Sequence, residues 1–180
     1  MTKTEDAQSP APRPLPAARW VLIVMGSDSD ADVMSQAAAA LDEAGVPYEF
    51  TVASAHRSPE RTRRVITEAE ANGAAVFIAG AGMAAHLPGV VASLTTKPVI
   101  GVPLASGALQ GVDALYAIVQ MPPGIPVATV AIGGARNAGV LAAQIIATSD
   151  AALSTRLKEQ RTAMADAVAA KSKKVEKSTR

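Results

Sequence analysis

Short apolar runs of strand length alternate along this chain with longer stretches that have helical periodicity. The first run, Trp20–Met25, is apolar at every position, which is typical of a strand buried on both faces of a sheet. Further strands are predicted at 48–53, 75–79, 98–102 and 126–132. Parallel strands need a crossover between them, and helices supply it, so this order predicts a parallel sheet with helices on both faces.

Helices are predicted between these strands and after the last one. Their expected ranges are 31–44, 59–71, a helix opening at Pro88, 112–119, 138–148 and 150–170. Five strands in this alternation predict an α/β fold of the doubly wound, flavodoxin-like type, a three-layer sandwich with a five-stranded parallel sheet. We expect a single catalytic domain over residues 20–170. In such a sheet the ligand binds beyond the carboxyl ends of the strands, where the strand order reverses.

The two ends of the chain differ from this domain in composition. Residues 1–19 contain four prolines among Ala, Arg and Ser and predict a disordered leader. No apolar run precedes Trp20, so the leader does not have the pattern of a signal peptide or a membrane anchor. Residues 171–180 are rich in lysine and predict a frayed polar tail.

The amino-acid composition argues against several classes of function. The chain has 17 Lys and Arg against 16 Asp and Glu and only 3% aromatic residues, a balance that does not predict a nucleic-acid surface. With no cysteine, disulfides, thiolate chemistry and cysteine-bound zinc are excluded, and the composition fits a reducing compartment. The 2 histidines have no partner cluster of acidic residues in the sequence, so no metal site is predicted.

The loop after the first strand, residues 26–30, leads into the amino end of a helix. Free backbone N–H groups and the helix dipole favour an anion there, and Ser27 and Ser29 add hydroxyl donors. Helix capping by Ser29 or Asp30 is the simpler interpretation of the same residues. Asp28 and Asp30 would repel a phosphate bound alone in this loop. This objection does not hold if one of them faces the sugar hydroxyls of a larger ligand.

Two further loops are expected at the same edge of the sheet. The second carries His56 and Arg57 beside Ser54 and Ser58. Histidine can donate and accept a proton near neutral pH, and arginine binds phosphate or carboxylate through its planar fork of donors. The alternatives are a surface arginine and a helix-capping Ser58. Three further arginines on the following helix are interpreted as a solvated face: Arg61, Arg63 and Arg64.

The third loop, residues 80–89, consists almost wholly of small residues and contains His86. Small side chains allow the backbone to approach a flat ligand closely, although they also suit packing against a neighbouring loop. Both histidines of the chain therefore fall at the predicted ligand edge. The strongest physical signal of a site in the sequence is that the three loops at this edge are also the ones that hold the residues with chemical function.

At these loops the chain closely resembles the bacterial N5-carboxyaminoimidazole ribonucleotide mutases, the family historically called the catalytic subunit of phosphoribosylaminoimidazole carboxylase. The resemblance spans about Val21 to Thr148. The motifs that carry it are Met25–Asp30 (MGSDSD), Ser54–Pro59 (SAHRSP), Ala84–Gly89 (AAHLPG), Gly111–Tyr116 (GVDALY) and Val119–Pro122 (VQMP). Several ordered motifs at matching separations are far more specific than any one of them.

The resemblance implies an isomerase of de novo purine (IMP) synthesis that moves a carboxyl group from an exocyclic nitrogen to a ring carbon without ATP. His56 would be the general acid and base. Ser27 and Arg57 would hold the substrate phosphate with support from Ser54, and Asp30 would accept from the ribose hydroxyls. The loop from Gly80 to His86, including Gly82, would enclose the imidazole and the migrating carboxylate.

The same resemblance implies a cytoplasmic homo-octamer with active sites shared between subunits, acting on a small ribonucleotide without cofactor, nucleic acid or membrane. Two departures stand out. Met83 occupies a position where the family often has glycine, and the stretch Gly133–Asn137 looks shorter than in some relatives. Two other functions stay open: a carboxylase of the same fold that adds carbon dioxide directly to aminoimidazole ribonucleotide, and a non-catalytic nucleotide-binding domain.

Overall fold

The structure of this chain is a computed structural model that describes residues 19–178. Except for Arg19, the predicted disordered leader lies outside the described residues, as do the last two residues of the predicted tail. Within the part of the chain that is described, none of the helices combines the length and the apolarity that crossing a bilayer demands.

A five-stranded parallel sheet in the order β2-β1-β3-β4-β5 forms the centre of the molecule. Its strands are β1 (Trp20–Met25), β2 (Tyr48–Val52), β3 (Ala74–Gly82), β4 (Val99–Leu104) and β5 (Ala128–Thr129). The chain moves outward from β1 to β2 and then returns to the other side of β1, so the strand order reverses between β1 and β3. The predicted flavodoxin-like α/β fold, with its five-stranded parallel sheet, is confirmed.

Helices follow the strands in turn. They are α1 (Ala31–Ala44), α2 (Pro59–Ala71), α3 (Leu87–Leu94), α4 (Val112–Val119), α5 (Ala135–Ala147) and α6 (Ala151–Ser178). A short 3-10 helix, Asp28–Asp30, precedes α1. Gly45 ends α1 in the left-handed region at φ 68°, and Pro59 opens α2.

Strand β1 is fully buried and supplies both cores through the two-residue period of a strand. Val21 and Ile23 pack on one face, in a cluster that includes side chains of α1, α5 and α6. Leu22 and Val24 pack on the other face, in a cluster that includes side chains of α2, α3 and α4. These two layers hold the carboxyl ends of β1, β2 and β3 at one edge, where the three candidate loops begin.

Three strand predictions, those of β3, β4 and β5, are wrong in their extent. The prediction ended β3 at Ala79, but pairing continues to Gly82 because β4 extends to Leu104 and gives it a partner. The prediction placed β5 over 126–132, but only Ala128 and Thr129 pair with β4. Pro126 has no N–H to donate, and β5 lies at the edge of the sheet, so its ladder is short.

The final helix also differs from its prediction. Expected to end near residue 170 before a frayed tail, α6 instead continues to Ser178. Between Ala151 and Ser178 the sequence has no glycine or proline to stop a helix, and alanine and lysine favour it. A hydrogen bond of 3.0 Å from Ser172 Oγ to Glu176 Oε1 joins two side chains one turn apart.

Candidate active site

A cleft of about 380 Å³ lies at the carboxyl edge of the sheet, at the place where the strand order reverses. All three candidate loops contribute to it. It is lined by Gly26, Ser27, Ser29, Asp30, Ser54, Ala55, His56, Arg57, Ala81, Gly82, Met83, Ala84, Leu87 and Ser106.

The first loop is held by reciprocal capping between Ser27 and Asp30. The Ser27 hydroxyl accepts from the Ser29 N–H at 3.4 Å, and the Asp30 carboxylate accepts from the Ser27 N–H at 3.2 Å. The Ser27 hydroxyl also donates to Asp28 Oδ1 at 3.1 Å. The capping interpretation is therefore correct in kind, but Ser27 is the capping residue, and both side chains still line the cleft.

Asp30 is a half-buried carboxyl in this loop. Burial raises the pKa of the Asp30 carboxyl above its ordinary value of 3.8, because desolvation disfavours its charged form. Hydrogen bonds from Ser27 and Ser29 and the charge of Arg57 act against this rise. Asp30 Oδ2 thus accepts from the loop backbone, while the residue lines the cleft.

Arg57 crosses from the second loop to the first. Its Nη2 donates to the carbonyl of Gly26 at 2.9 Å, and its backbone N–H donates to Ser54 Oγ at 3.1 Å. The Arg57 Nε lies 3.5 Å from the same Ser54 hydroxyl. Ser54 therefore fixes both the backbone and the side chain of Arg57, and the guanidinium lies beside the first loop where an anion would be bound.

Ser58 closes the turn that presents these residues. Its hydroxyl donates to the Ser54 carbonyl at 3.2 Å and accepts from the Ser54 N–H at 3.2 Å. The alternative role of Ser58, capping of α2 by its side chain, is not observed. Instead Thr62, which is fully buried, donates to the Ser58 carbonyl at 3.2 Å and ties the turn to α2.

The two histidines meet at the edge of the cleft. His56 Nε2 and His86 Nδ1 are 2.8 Å apart, and the rings lie edge to face at 82° with centroids 4.9 Å apart. One ring nitrogen must donate and the other accept, so the tautomer of one ring sets that of the other. His86 directly precedes α3, and its side chain makes no capping hydrogen bond, which leaves its ring free for His56.

The third loop approaches the loop that follows β4. A Cβ placed on Gly82 would clash with the hydroxyl of Ser106, so only glycine allows this approach. Met83 is 59% exposed and has φ 53°, a left-handed conformation that is uncommon for a residue with a side chain. The small residues of the loop thus serve both packing and access to the cleft.

The structure brings together the residues singled out in the sequence. Ser27, Asp30, Ser54, Arg57, His56 and Gly82 line one cleft, and His86 joins it through its contact with His56. Sequence reasoning missed Ser106, which also lines the cleft. It follows β4 by two residues, and the rule that ligands bind at the carboxyl ends of the strands could have identified it.

Other clefts and side-chain clusters of the described structure are less suited to be a catalytic or metal site. A cleft of about 480 Å³ lies at the opposite edge, near the start of β4, and Lys97 is the one charged residue lining it. Among residues 19–178, no three His, Asp or Glu side chains come together in a way that could hold a metal ion. Arg61, Arg63 and Arg64 are all exposed on α2, as predicted, and Arg61 also donates to the Val52 carbonyl at 3.1 Å.

Comparisons with known proteins point to one family. Residues 20–167 match the family model described as AIR carboxylase. An N5-carboxyaminoimidazole ribonucleotide mutase from Pyrococcus horikoshii is 54% identical over 154 residues, which cover 86% of this chain and 87% of that protein.

Two further relatives extend the comparison. A phosphoribosylaminoimidazole carboxylase from Schizosaccharomyces pombe is 49% identical over 172 residues, 96% of this chain but 30% of that protein. A crystal structure of Treponema denticola PurE superposes with a TM-score of 0.80 at 29% identity, covering 87% of this chain and 98% of that one.

Proposed function

Because this chain belongs to the AIR carboxylase family, we propose that its cleft converts N5-carboxyaminoimidazole ribonucleotide to 4-carboxy-5-aminoimidazole ribonucleotide. This is an isomerase reaction of de novo purine (IMP) synthesis that needs no ATP. One observation carries the assignment of the site: His56, hydrogen-bonded to His86, lines the same cleft as Ser27 and Arg57, two donors suited to a phosphate.

The substrate phosphate binds at the first loop. The Arg57 guanidinium supplies the positive charge, and it is already held there by its bonds to Ser54 and the Gly26 carbonyl. The Ser27 hydroxyl, which donates to Asp28 Oδ1 in the structure, turns to donate to a phosphate oxygen when the substrate binds. Ser54 supports the phosphate chiefly by orienting Arg57, since its hydroxyl is close to both Arg57 nitrogens.

The ribose lies next to the phosphate, within reach of Asp30. Ribose hydroxyls are donors, so a carboxylate beside them is an acceptor rather than a source of repulsion. The Asp30 oxygen that is not bonded to the Ser27 N–H serves this role. This explains why an acidic residue stands in a loop that also binds a phosphate.

His56 exchanges the proton that the reaction requires. As a cation it protonates the carbamate nitrogen of the substrate; the bond between that nitrogen and the carboxyl carbon then breaks, and its electron pair stays on nitrogen. The aminoimidazole ring attacks the freed carbon dioxide through its ring carbon. His56, now neutral, removes the proton from that carbon and restores the aromatic ring. One proton leaves His56 and one returns, so the balance closes on a single residue.

His86 keeps His56 ready for both proton transfers. Its Nδ1 lies 2.8 Å from His56 Nε2, so it can donate to that nitrogen when it is bare or accept from it when it carries a proton. Gly82 and its neighbours bring backbone close to the flat imidazole and its carboxylate. Proton transfer of this kind is worth about two to four powers of ten, and positioning must supply the remainder of the rate enhancement.

The direct test is to incubate the purified protein with the carbamate ribonucleotide in the absence of ATP. We expect the carbon-carboxylated isomer to form faster than in a sample without enzyme. A parallel sample with aminoimidazole ribonucleotide and bicarbonate tests the alternative, direct carboxylation, which the similarity to the Schizosaccharomyces pombe carboxylase favours. Product from bicarbonate at the same rate as from the carbamate would select that alternative.

We further propose that the chain assembles into a homo-octamer with shared active sites and works in the cytoplasm, where phosphorylated nucleotides are retained. Helix α4 supports assembly, because Val112, Tyr116 and Val119 are exposed on one face. In the same helix, Asp113 Oδ1 is buried without a hydrogen-bond partner among the described residues. A donor from a second copy would satisfy it.

Light scattering on a size-exclusion column tests this assembly. We expect an octamer mass for the parent chain and a smaller species for Tyr116→Glu, which places a charge on the apolar face of α4. Arg64→Glu, which changes charge on the exposed face of α2, serves as the control and should keep the parent mass. A monomeric parent chain would refute the octamer.

A further inference from the structure

Met83 is the one long apolar side chain in the small-residue run from Gly80 to Ala85. Its backbone has φ 53°, and among the described residues only Gln110, at φ 51°, shares this conformation without being glycine. A residue with a side chain adopts the left-handed region at an energetic cost, and such cases cluster at functional sites. The presence of a methionine in this costly backbone conformation therefore requires an explanation.

Core packing does not supply that reason. Met83 is 59% exposed, so among the described residues it buries little apolar surface in return for its backbone conformation. Its side chain instead lines the cleft that contains His56 and Arg57. Its Cγ and Cε also lie 3.8 and 3.9 Å from the place where a Cβ on Gly107 would stand. The side chain thus extends from the third loop toward the loop after β4.

The proposed reaction makes such a side chain useful. Carbon dioxide is free for a moment between the breaking of its bond to nitrogen and the making of its bond to carbon. It is small, uncharged and apolar, and nothing in the cleft can hold it by an ion pair. Keeping it beside the ring depends on walls that exclude water and close the route to solvent. Ala81, Ala84 and Leu87 supply apolar surface near Met83, but each is shorter or more buried.

We propose that Met83 retains carbon dioxide: its thioether side chain forms the third-loop wall of the cleft and lowers the escape of the freed molecule. This inference rests on the proposed function, because it concerns an intermediate of that reaction. It makes Met83 a residue that sets the partition between isomerised product and released aminoimidazole ribonucleotide. Binding of the phosphate and ribose is not expected to depend on it.

The test measures that partition with substrate labelled with carbon-13 in the carbamate carboxyl, in buffer containing unlabelled bicarbonate. Label kept in the product reports direct recapture, while lost label and free aminoimidazole ribonucleotide report escape. Met83→Leu keeps a large apolar side chain, and it should match the parent. Met83→Ala removes the side chain beyond Cβ, and Met83→Asn tolerates the left-handed conformation but is polar. Both should raise escape by about fivefold or more after subtraction of the reaction without enzyme.

Gln110→Gly is the matched control for the backbone. It relieves the same left-handed conformation at a residue that does not line the cleft, and its partition should equal that of the parent. Met83→Ala and Met83→Leu both keep a Cβ at the strained position, so their comparison isolates the side chain. Comparing the partition of Met83→Ala with that of Met83→Leu therefore tests the inference even if Met83→Asn alters the conformation of the loop.

An unchanged partition in Met83→Ala and Met83→Asn, with normal turnover by the parent, would overturn this inference alone. A parent chain that makes no isomerised product would overturn the proposed function and this inference with it. Escape that rises equally in Met83→Leu would also overturn it, because that variant keeps the apolar wall.

Discussion

His56 and His86 stand 30 positions apart in the sequence, yet His56 Nε2 lies 2.8 Å from His86 Nδ1 in the folded chain. The loop before α2 carries the first ring, and the residue before α3 carries the second. At this distance one ring nitrogen donates a hydrogen bond and the other accepts it, so the two rings can share one proton between them. His56 is consequently an acid and base with a fixed partner.

Replacing His86 should slow the chemical step more than it weakens binding. We expect His86→Phe, which removes the hydrogen bond, to lower kcat about fivefold, the value of one net hydrogen bond of about 1 kcal/mol. His86→Asn can place its amide near the former Nδ1 and should recover part of that loss. Steady-state kinetics check this, and a change in KM with kcat unaltered would contradict it.

Replacing His56 should abolish proton exchange while leaving the binding groups in place. We expect His56→Asn to bind the ribonucleotide but lose at least about a hundredfold in kcat. His56→Gln, whose amide can reach the place of Nε2 and still bond to His86, should be similarly inactive, because an amide does not titrate in this range. Calorimetric binding of the stable product separates the two effects, and near-normal turnover by either folded variant would refute the role.

Replacing Arg57 should act on affinity. A hydrogen bond to a charged group is worth about 1.5–3 kcal/mol, so Arg57→Ala should raise KM by about 10- to 100-fold. Arg57→Lys keeps the charge without the planar fork and should lie between the alanine variant and the parent. Arg64→Ala on the exposed face of α2 is the control. An unchanged KM in Arg57→Ala would exclude the phosphate role.

Asp30 links function to stability through its raised pKa, which burial causes. Between the ordinary value of 3.8 and the raised pKa, the folded protein binds more protons at this carboxyl than the unfolded chain does. Stability from this group therefore falls as pH rises through that window. Asp30→Asn can still accept from the Ser27 N–H, so we expect it to be more stable than the parent at neutral pH but to have a higher KM.

Urea unfolding and steady-state kinetics across the acidic range test both halves of this prediction. The stability difference between Asp30→Asn and the parent should shrink as pH falls below the window. The parent KM should rise as Asp30 is protonated. The KM of Asp30→Asn should not show this pH-dependent rise, because an amide side chain does not titrate there. A variant less stable than the parent at neutral pH would contradict the burial cost.

The contact between Gly82 and Ser106 can be tested by relief of a clash. Gly82→Ala should lose about 1–3 kcal/mol of stability, since its Cβ would clash with the Ser106 hydroxyl and also lie tightly against the Leu104 carbonyl, which is backbone. Ser106→Ala combined with Gly82→Ala should restore part of this loss. Gly26→Ala, where a Cβ meets nothing within 4 Å, is the matched control. Equal loss in both single glycine variants would show that backbone freedom, not contact, is responsible.

Much of the fold could be predicted because it depends on local patterns. The run Trp20–Met25 is apolar at every position and is fully buried as β1. Gly45 and Pro59 mark the ends of helices where their backbone preferences require. The errors at β3, β4, β5 and α6 concern the extents of these elements, which depend on the length of a neighbouring strand or on the lack of a stop signal. The length over which a neighbouring strand offers hydrogen-bond partners cannot be inferred from a local sequence pattern.

The sequence by itself determined which residues could do chemistry and that they would stand at one edge of a parallel sheet. Tertiary structure alone decided that the two imidazoles touch, that Arg57 reaches the Gly26 carbonyl, and that Ser106 lies against Gly82. The physical reason is range: periodicity and capping act over a few residues, whereas these contacts join separate loops. Their distances are set by how two layers of helices pack on the sheet between them.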